Sequence, residues 1–326
     1  MPSIHCIRAL LLPALLAAML APAAQAQGGG YPERPITLVV GYPPGGSTDL
    51  TGRAVADQLA RTLGVPVVVE NLGGAGGTIG AQKVARAAPD GYTLLLGANN
   101  EIAIARQVSA AVKYSTSDFT PIGLVASQPM VLVASTASGM RTVDQMLQAV
   151  RARPGHYSYG SSGVGTALHL AGEMAKQQGG LFMTHIPYRG VAPLTTDLYG
   201  GTIDLGVYVL SSGLPHIRSG KVVALGITEK TRSAAAPDIA PLAAHPALKD
   251  LDIGVWFALM APAQLPAAIA TRLRTALAEA LQAPELRKKL EDSGSTLALA
   301  GADLPRFLAA ETAKYRRIVE FAKIKE

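Results

Sequence analysis

The chain has 326 residues, 49% of them hydrophobic and 16% charged, with 34 Gly, 22 Pro and a single Cys. Those values exclude global disorder, a collagenous chain and a disulfide framework, and the length predicts about two domains. The formal charge of +6 is scattered. Its densest groups, Arg287 to Lys289 and Lys314 to Arg317, fall in amphipathic helical patterns, so no nucleic-acid partner is expected and the weak field favours anionic small molecules.

Residues 1–26 read as a cleavable secretory signal peptide. Arg8 supplies the basic start, residues 9–20 are apolar, and Ala24-Gln25-Ala26 is an A-x-A cleavage signal. The apolar run is too short to cross a hydrocarbon core of about 30 Å as a helix. Cleavage after Ala26 would remove Cys6 and leave an exported protein.

Beyond that point strand and helix patterns alternate. A β-branched run at 36–40 predicts a strand, 50–63 a helix, 65–70 a strand, 78–87 a helix and 92–96 a strand. Two short strands are expected within 121–135. The rhythm then restarts with helices over 142–151, 167–177 and 191–198, and strands over 157–160, 184–187, 203–208 and 222–228. An apolar run at 253–260 precedes terminal helices marked by Leu265, Ile269, Leu273, Leu277 and Leu281, and by Leu304, Leu308, Tyr315, Ile318 and Phe321. This predicts an α/β fold of two lobes, with mostly parallel sheets flanked by helices.

Three loops share one design, in which glycines and hydroxyl residues link a strand to a helix. They are Gly45-Gly-Ser-Thr-Asp49, Gly73-Gly-Ala-Gly-Gly-Thr78 (with Gly76 inside it) and Gly160-Ser-Ser-Gly-Val-Gly-Thr166. The first N–H groups of a helix lack intrahelical partners, and the helix dipole makes that end positive. Glycine lets an anion approach the backbone there. Ser47, Thr48, Ser161, Ser162 and Thr166 could add donors, and such loops lie where α/β sheets bind ligands. The chemistry favoured is capture of a carboxylate. Each hydroxyl could equally be a helix cap, and Asp49 leans to capping because it would repel an anion. Arg189 could pair with a carboxylate or with the other lobe; Tyr42 and Tyr208 could wall a pocket or fill a core.

Other chemistry fits less well. Gly74-Ala-Gly-Gly-Thr-Ile-Gly80 misses the dinucleotide fingerprint by one residue, and a P-loop is absent. Gly160-Ser-Ser-Gly-Val misses the hydrolase elbow, which leaves an exported hydrolase using Ser161 or Ser162 as the alternative. His169 and Glu173 are four apart and could share a metal, but helix packing suits His169 better. No metal and no cofactor are expected.

Taken in order, several segments resemble one family. They are Tyr31-Pro-Glu-Arg-Pro-Ile36, Pro43-Pro-Gly-Gly-Ser-Thr-Asp49, Val69-Glu-Asn-Leu-Gly-Gly-Ala-Gly-Gly77, Pro89-Asp-Gly-Tyr-Thr-Leu94, Tyr159-Gly-Ser-Ser-Gly163, Leu168-His-Leu-Ala-Gly-Glu173, Pro187-Tyr-Arg-Gly190, Leu214-Pro-His-Ile-Arg-Ser-Gly220, and Trp256 with Ala261-Pro262. The chain resembles the periplasmic receptors of tripartite tricarboxylate transporters, the TctC or Bug group, over essentially all of its length after residue 26. The resemblance implies a non-catalytic flytrap of the type II kind, with 27–125 plus 250–326 as one lobe and 126–249 as the other. It implies a di- or tricarboxylate, acidic amino acid or aromatic acid as ligand, held by loop backbone, hydroxyls and waters. Carried over, Tyr42, Gly46, Ser47, Asp49, Asn99, Ser161 and Thr166 would hold it. A monomer would deliver the ligand to a membrane permease, or in some members to a sensor kinase. The chain departs from the family at Val164, at Ile104-Ala-Arg106, at Tyr208 and over 237–244, and the first three bear on pocket polarity.

Overall fold

A computed structural model describes residues 30–298 and 303–324. The expected signal peptide lies outside the described residues. Strand β1 (Ile36–Val40) buries every side chain but that of Thr37 and runs into helix α1 (Ser47–Leu63). Helix α1 buries Val55, Leu59 and Leu63 on one face and ends at Gly64 in the left-handed region, φ 74°, whose N–H returns to the Ala60 carbonyl. Strand β2 (Val67–Asn71), a 3₁₀ turn (Ala75–Gly77), helix α2 (Thr78–Ala85) and strand β3 (Thr93–Ala98) follow. Strand β1 pairs in parallel with both β2 and β3. After β3 come a π-helical turn (Asn100–Ile104) and the short helix α3 (Ala105–Val108).

The second half repeats the rhythm. Helix α4 (Val143–Ala152), strand β5 (Ser158–Ser161), helix α5 (Ala167–Gly179), strand β6 (Thr184–Pro187), helix α6 (Val191–Gly200), strand β7 (Leu205–Val209), helix α7 (Leu210–Arg218) and strand β8 (Val222–Ile227) follow in order. Strand β5 pairs in parallel with β6 and β7.

Two long strands connect the halves. Strand β4 (Phe119–Ser135) pairs antiparallel with β9 (Gly254–Pro262) over 119–129, then with β7 and β8 over 130–135. Strand β9 also pairs antiparallel with β3. The expected parallel pairing therefore holds within each half and becomes antiparallel where β4 and β9 cross. Two short strands were expected within 121–135, where β4 is one strand that contains Pro121 and Pro129, residues without the N–H a ladder needs. The chain instead stays extended, and register shifts beside Pro121 and after Leu124 absorb the irregularity.

The remaining helices are α8 (Ala267–Gln282), α9 (Pro284–Asp292) and α10 (Leu304–Ala322), with a short strand β10 (Thr296–Leu297) on β4. Helices α8 and α9 pack on α1, and Arg272 donates to the Thr62 carbonyl at 3.2 Å. Helix α10 packs on both the π-helical turn and α5. Trp256 lies in the core, and its indole N–H donates to Glu311 of α10 at 2.9 Å. Among the described residues no helix is long and apolar enough to cross a membrane.

Candidate functional site

The carboxyl ends of the parallel strands of both halves face a cleft with two adjoining chambers. The outer one, of about 370 Å³, is walled by the 3₁₀ turn, helix α3 and the loops before α5 and α6. The smaller inner one, about 30 Å³, is reached by the first residues of α1 and of α6. Tyr42, Pro43, Ser162 and Gly190 line both.

Helix starts define the inner chamber. Gly46 caps α1 and Gly190 caps α6, and neither helix receives a side-chain cap. Gly46, Ser47 and Thr48 therefore meet Gly190, Val191 and Ala192 across the chamber with first-turn N–H groups unclaimed by caps. Asn100 and Ser162 add polar side chains. Arg189 is the one charged side chain, among the described residues, that lines either chamber. Two positive helix ends, hydroxyls, an amide and no carboxylate suit a small anion.

Of the residues singled out from sequence, Tyr42, Gly46, Ser47, Thr48, Gly76, Ser162 and Arg189 line the chambers. The Tyr42 hydroxyl donates to the Gly76 carbonyl at 2.8 Å and accepts from Asn100 Nδ2 at 2.5 Å. Burial, then the nearby Glu101 carboxyl, push its pKa far above the ordinary phenol value.

Asp49, Asn99, Ser161, Thr166 and Tyr208 stand behind the walls. The buried Asp49 carboxylate accepts from the Gly45 N–H at 2.9 Å, from Asn71 Nδ2 at 2.9 Å and from Arg53 Nε at 3.1 Å. Burial alone would raise its pKa, but these bonds and the Arg53 charge outweigh that and hold it below the ordinary value. Asp49 thus shapes the first loop from inside the first turn of α1, where Gly46 and not Asp49 is the cap. Asn99 donates to the Gly254 carbonyl at 3.0 Å and to the Tyr315 hydroxyl at 2.5 Å, tying β3 to β9 and α10. Its neighbour Asn100 enters the chamber instead. Thr166 caps α5, accepting from the His169 N–H at 3.3 Å and donating to the Gly163 carbonyl at 2.8 Å. Tyr208 is fully buried in the smaller core cluster and shares a hydrogen bond with Thr195 at 2.7 Å.

Ser161 is also fully buried. Its hydroxyl lies 2.7 Å from His185 Nε2 and donates to the Gly163 carbonyl at 3.0 Å. His185 stacks on His169 with ring centroids 3.8 Å apart, and His169 Nδ1 accepts the Gly165 N–H at 3.0 Å. Burial is the main cause that lowers both imidazoles, His169 to about 4 and His185 to about 3. The pair is neutral near pH 7 and braces the loop that forms one chamber wall. A serine so enclosed presents no nucleophile to the cleft. Among the described residues no three His, Cys, Asp or Glu side chains gather as metal ligands.

Sequence reasoning missed Asn100, the α6 start and Glu101. The loop before α6, Pro187-Tyr-Arg-Gly190, lacks the Ser and Thr that marked the other three. A glycine directly before a helical pattern was the available signal.

Residues 51–324 match the family described as the tripartite tricarboxylate transporter family receptor, TctC. The chain belongs to that family. Among TctC relatives, protein BugT of Bordetella pertussis is 34% identical over 300 residues, covering 91% of this chain and 92% of BugT. The solved periplasmic binding protein BugD is 32% identical with a TM-score of 0.85, covering 90% of this chain and 99% of BugD. A Rhodopseudomonas palustris protein, Rpa4515, solved with adipate, is 30% identical with a TM-score of 0.87, over 90% of this chain and 99% of that one. The two-lobed periplasmic binding-protein fold and the solute-binding role of TctC receptors follow for this chain.

Proposed function

We propose that the protein captures a small organic carboxylate in the inner chamber and presents it, from the periplasm, to a tripartite permease. One observation carries this reading: two helix starts without side-chain caps, Gly46-Ser47-Thr48 and Gly190-Val191-Ala192, come from opposite halves to one chamber that, among the described residues, no acidic side chain lines. A carboxylate there bonds to backbone of both halves at once. The closed arrangement is stabilised only when the ligand is present, which is the differential contact a ligand-driven closure requires. Residues 27–125 with 250–326 form one lobe in this reading, and 126–249 the other. The adipate in the Rpa4515 structure supports a dicarboxylate as ligand, and in this reading its second carboxylate reaches the outer chamber, which Arg189 lines. The enclosed Ser161–His185 pair supports a receptor without hydrolytic activity.

Thermal unfolding against malate, adipate, aspartate, citrate and benzoate tests it, using protein unfolded and refolded to remove co-purified ligand. A carboxylate at about 100 times its dissociation constant adds roughly 2.7 kcal/mol of stability, a rise of several degrees. No rise with any of the five would sink the carboxylate reading.

A further inference from the structure

Glu101 has no place in the capture scheme above, yet it lies directly behind the chamber wall. It sits in the π-helical turn after β3 and is 2% exposed. Oε1 accepts the Ala98 N–H at 2.7 Å, and Oε2 lies 3.3 Å from the Tyr42 hydroxyl. A Cβ placed on Gly77 would stand 2.9 Å from Oε2. Tyr42 and Gly77 both line the outer chamber. Tyr42 and Gly77 therefore stand between this carboxyl and the outer chamber.

The titratable groups facing Glu101 are Tyr42, from the loop after β1, and Tyr114, whose hydroxyl donates to the Glu101 main-chain carbonyl at 2.7 Å. Neither brings positive charge, and among the described residues no lysine, arginine or histidine pairs with it. An ionised carboxylate in that position would be buried without a counter-charge, which is strongly unfavourable. The hydrogen bonds agree. Tyr42 has one hydroxyl proton for two acceptors, the Gly76 carbonyl at 2.8 Å and Glu101 Oε2 at 3.3 Å, so an ionised Glu101 would have to compete with the nearer carbonyl for it. Burial raises the Glu101 pKa to about 8, against the opposing bonds from the main chain and Tyr42.

We propose that Glu101 is a proton-binding site built into the chamber wall, and that the protein takes up its anionic ligand together with the proton held there. The coupling rests on the carboxylate reading. The balance is simple: the proton comes from solvent, binds Oε2 and is shared with the Tyr42 oxygen, and no other bond changes. A ligand carboxylate beyond the wall raises the proton affinity of Glu101. By reciprocity, ionisation of Glu101 weakens the ligand by the same factor.

Two measurements decide the matter. In protein labelled with [δ-¹³C]glutamate, one carboxyl resonance is expected to titrate near pH 8 and to vanish in Glu101→Gln. If every glutamate titrates below about pH 6, within the ordinary range, there is no proton site. Calorimetric titration with malate, adipate and benzoate at pH 6 and pH 9 follows. Affinity for whichever binds is expected to fall about fivefold at pH 9 for a tenfold coupling, with a ceiling near tenfold, and proton uptake at pH 8 should be visible as a dependence on buffer ionisation heat. The fall should be absent in Glu101→Gln. Equal wild-type affinity at both pH values, with the resonance at 8 present, overturns the coupling alone. Failure of all three compounds to bind at either pH overturns the carboxylate reading and, with it, coupled capture. The resonance then still decides the proton site.

Discussion

Asp49 acts one step away from the ligand. Its carboxylate gathers the Gly45 N–H, the Asn71 amide and the Arg53 guanidinium, and so fixes the loop that delivers Ser47 and Thr48. Asp49→Ala strands those donors and is expected to lower stability by about 2 kcal/mol and to weaken ligand binding. Urea denaturation checks the first part, and an unchanged midpoint would contradict the role. The buried titratable groups set a pH profile of stability. Lowered His169 and His185 values mean the unfolded chain takes protons first on acidification. Their contribution is complete above about pH 6.5 and is lost as pH falls towards 4 and 3. Glu101 works in the other direction, its contribution being complete below about pH 4.5 and lost as pH rises through 8. Two histidines outweigh one glutamate below 6.5, so the melting temperature should peak near pH 6.5. In Glu101→Gln the decline above the peak should flatten. A melting temperature that climbs steadily from pH 6.5 to 9 would contradict the Glu101 assignment, and one that does not rise between pH 4 and 6.5 would contradict the histidine assignments. At this scale the sequence is half legible. Asn99-Asn100 and Ser161-Ser162 are adjacent polar pairs of which one member each enters the chamber, and which one is decided by the π-helical turn and by the end of β5. Neither can be read from residue type.

The strand–loop–helix units were legible because each combines an apolar run, a glycine-rich turn and an amphipathic stretch. Their glycines also carry specific geometry. Gly77 has φ 93°, and an added Cβ would stand 2.9 Å from Glu101 Oε2 and 3.0 Å from the Tyr42 ring. Gly77→Ala is therefore expected to cost about 1–3 kcal/mol through backbone strain and to press the wall into the chamber. A denaturation midpoint equal to that of the unmodified protein would show that the turn relaxes freely. Two elements escaped the sequence for physical reasons. Strand β4 was expected as two short strands, but partners at both ends keep it one extended strand. Helix α7 carries Pro215 and a Ser-Ser-Gly stretch that lowers helix propensity, and burial of Leu210 and Leu214 against β4 and β7 overrides it.

At the scale of the molecule, the two halves share β4 and β9 as common strands, and α10 leans on both. The alternating rhythm revealed two α/β units. It did not reveal that the chain returns to the first after 254, since that depends on long-range pairing of β9 with β3 and β4. The arrangement places helix starts from both halves against one chamber, and capture by those converging ends is the central claim. Isothermal titration of the refolded protein with malate, adipate, aspartate and benzoate tests it most directly, beside the double variant Ser47→Ala/Ser162→Ala. Saturable one-to-one binding of a carboxylate is expected, weakened about tenfold or more in the variant, equivalent to roughly 1.4 kcal/mol or more. Absence of binding for all four would contradict capture at the converging helix ends, and equal affinity in the variant would contradict a part for the Ser47 and Ser162 hydroxyls in it.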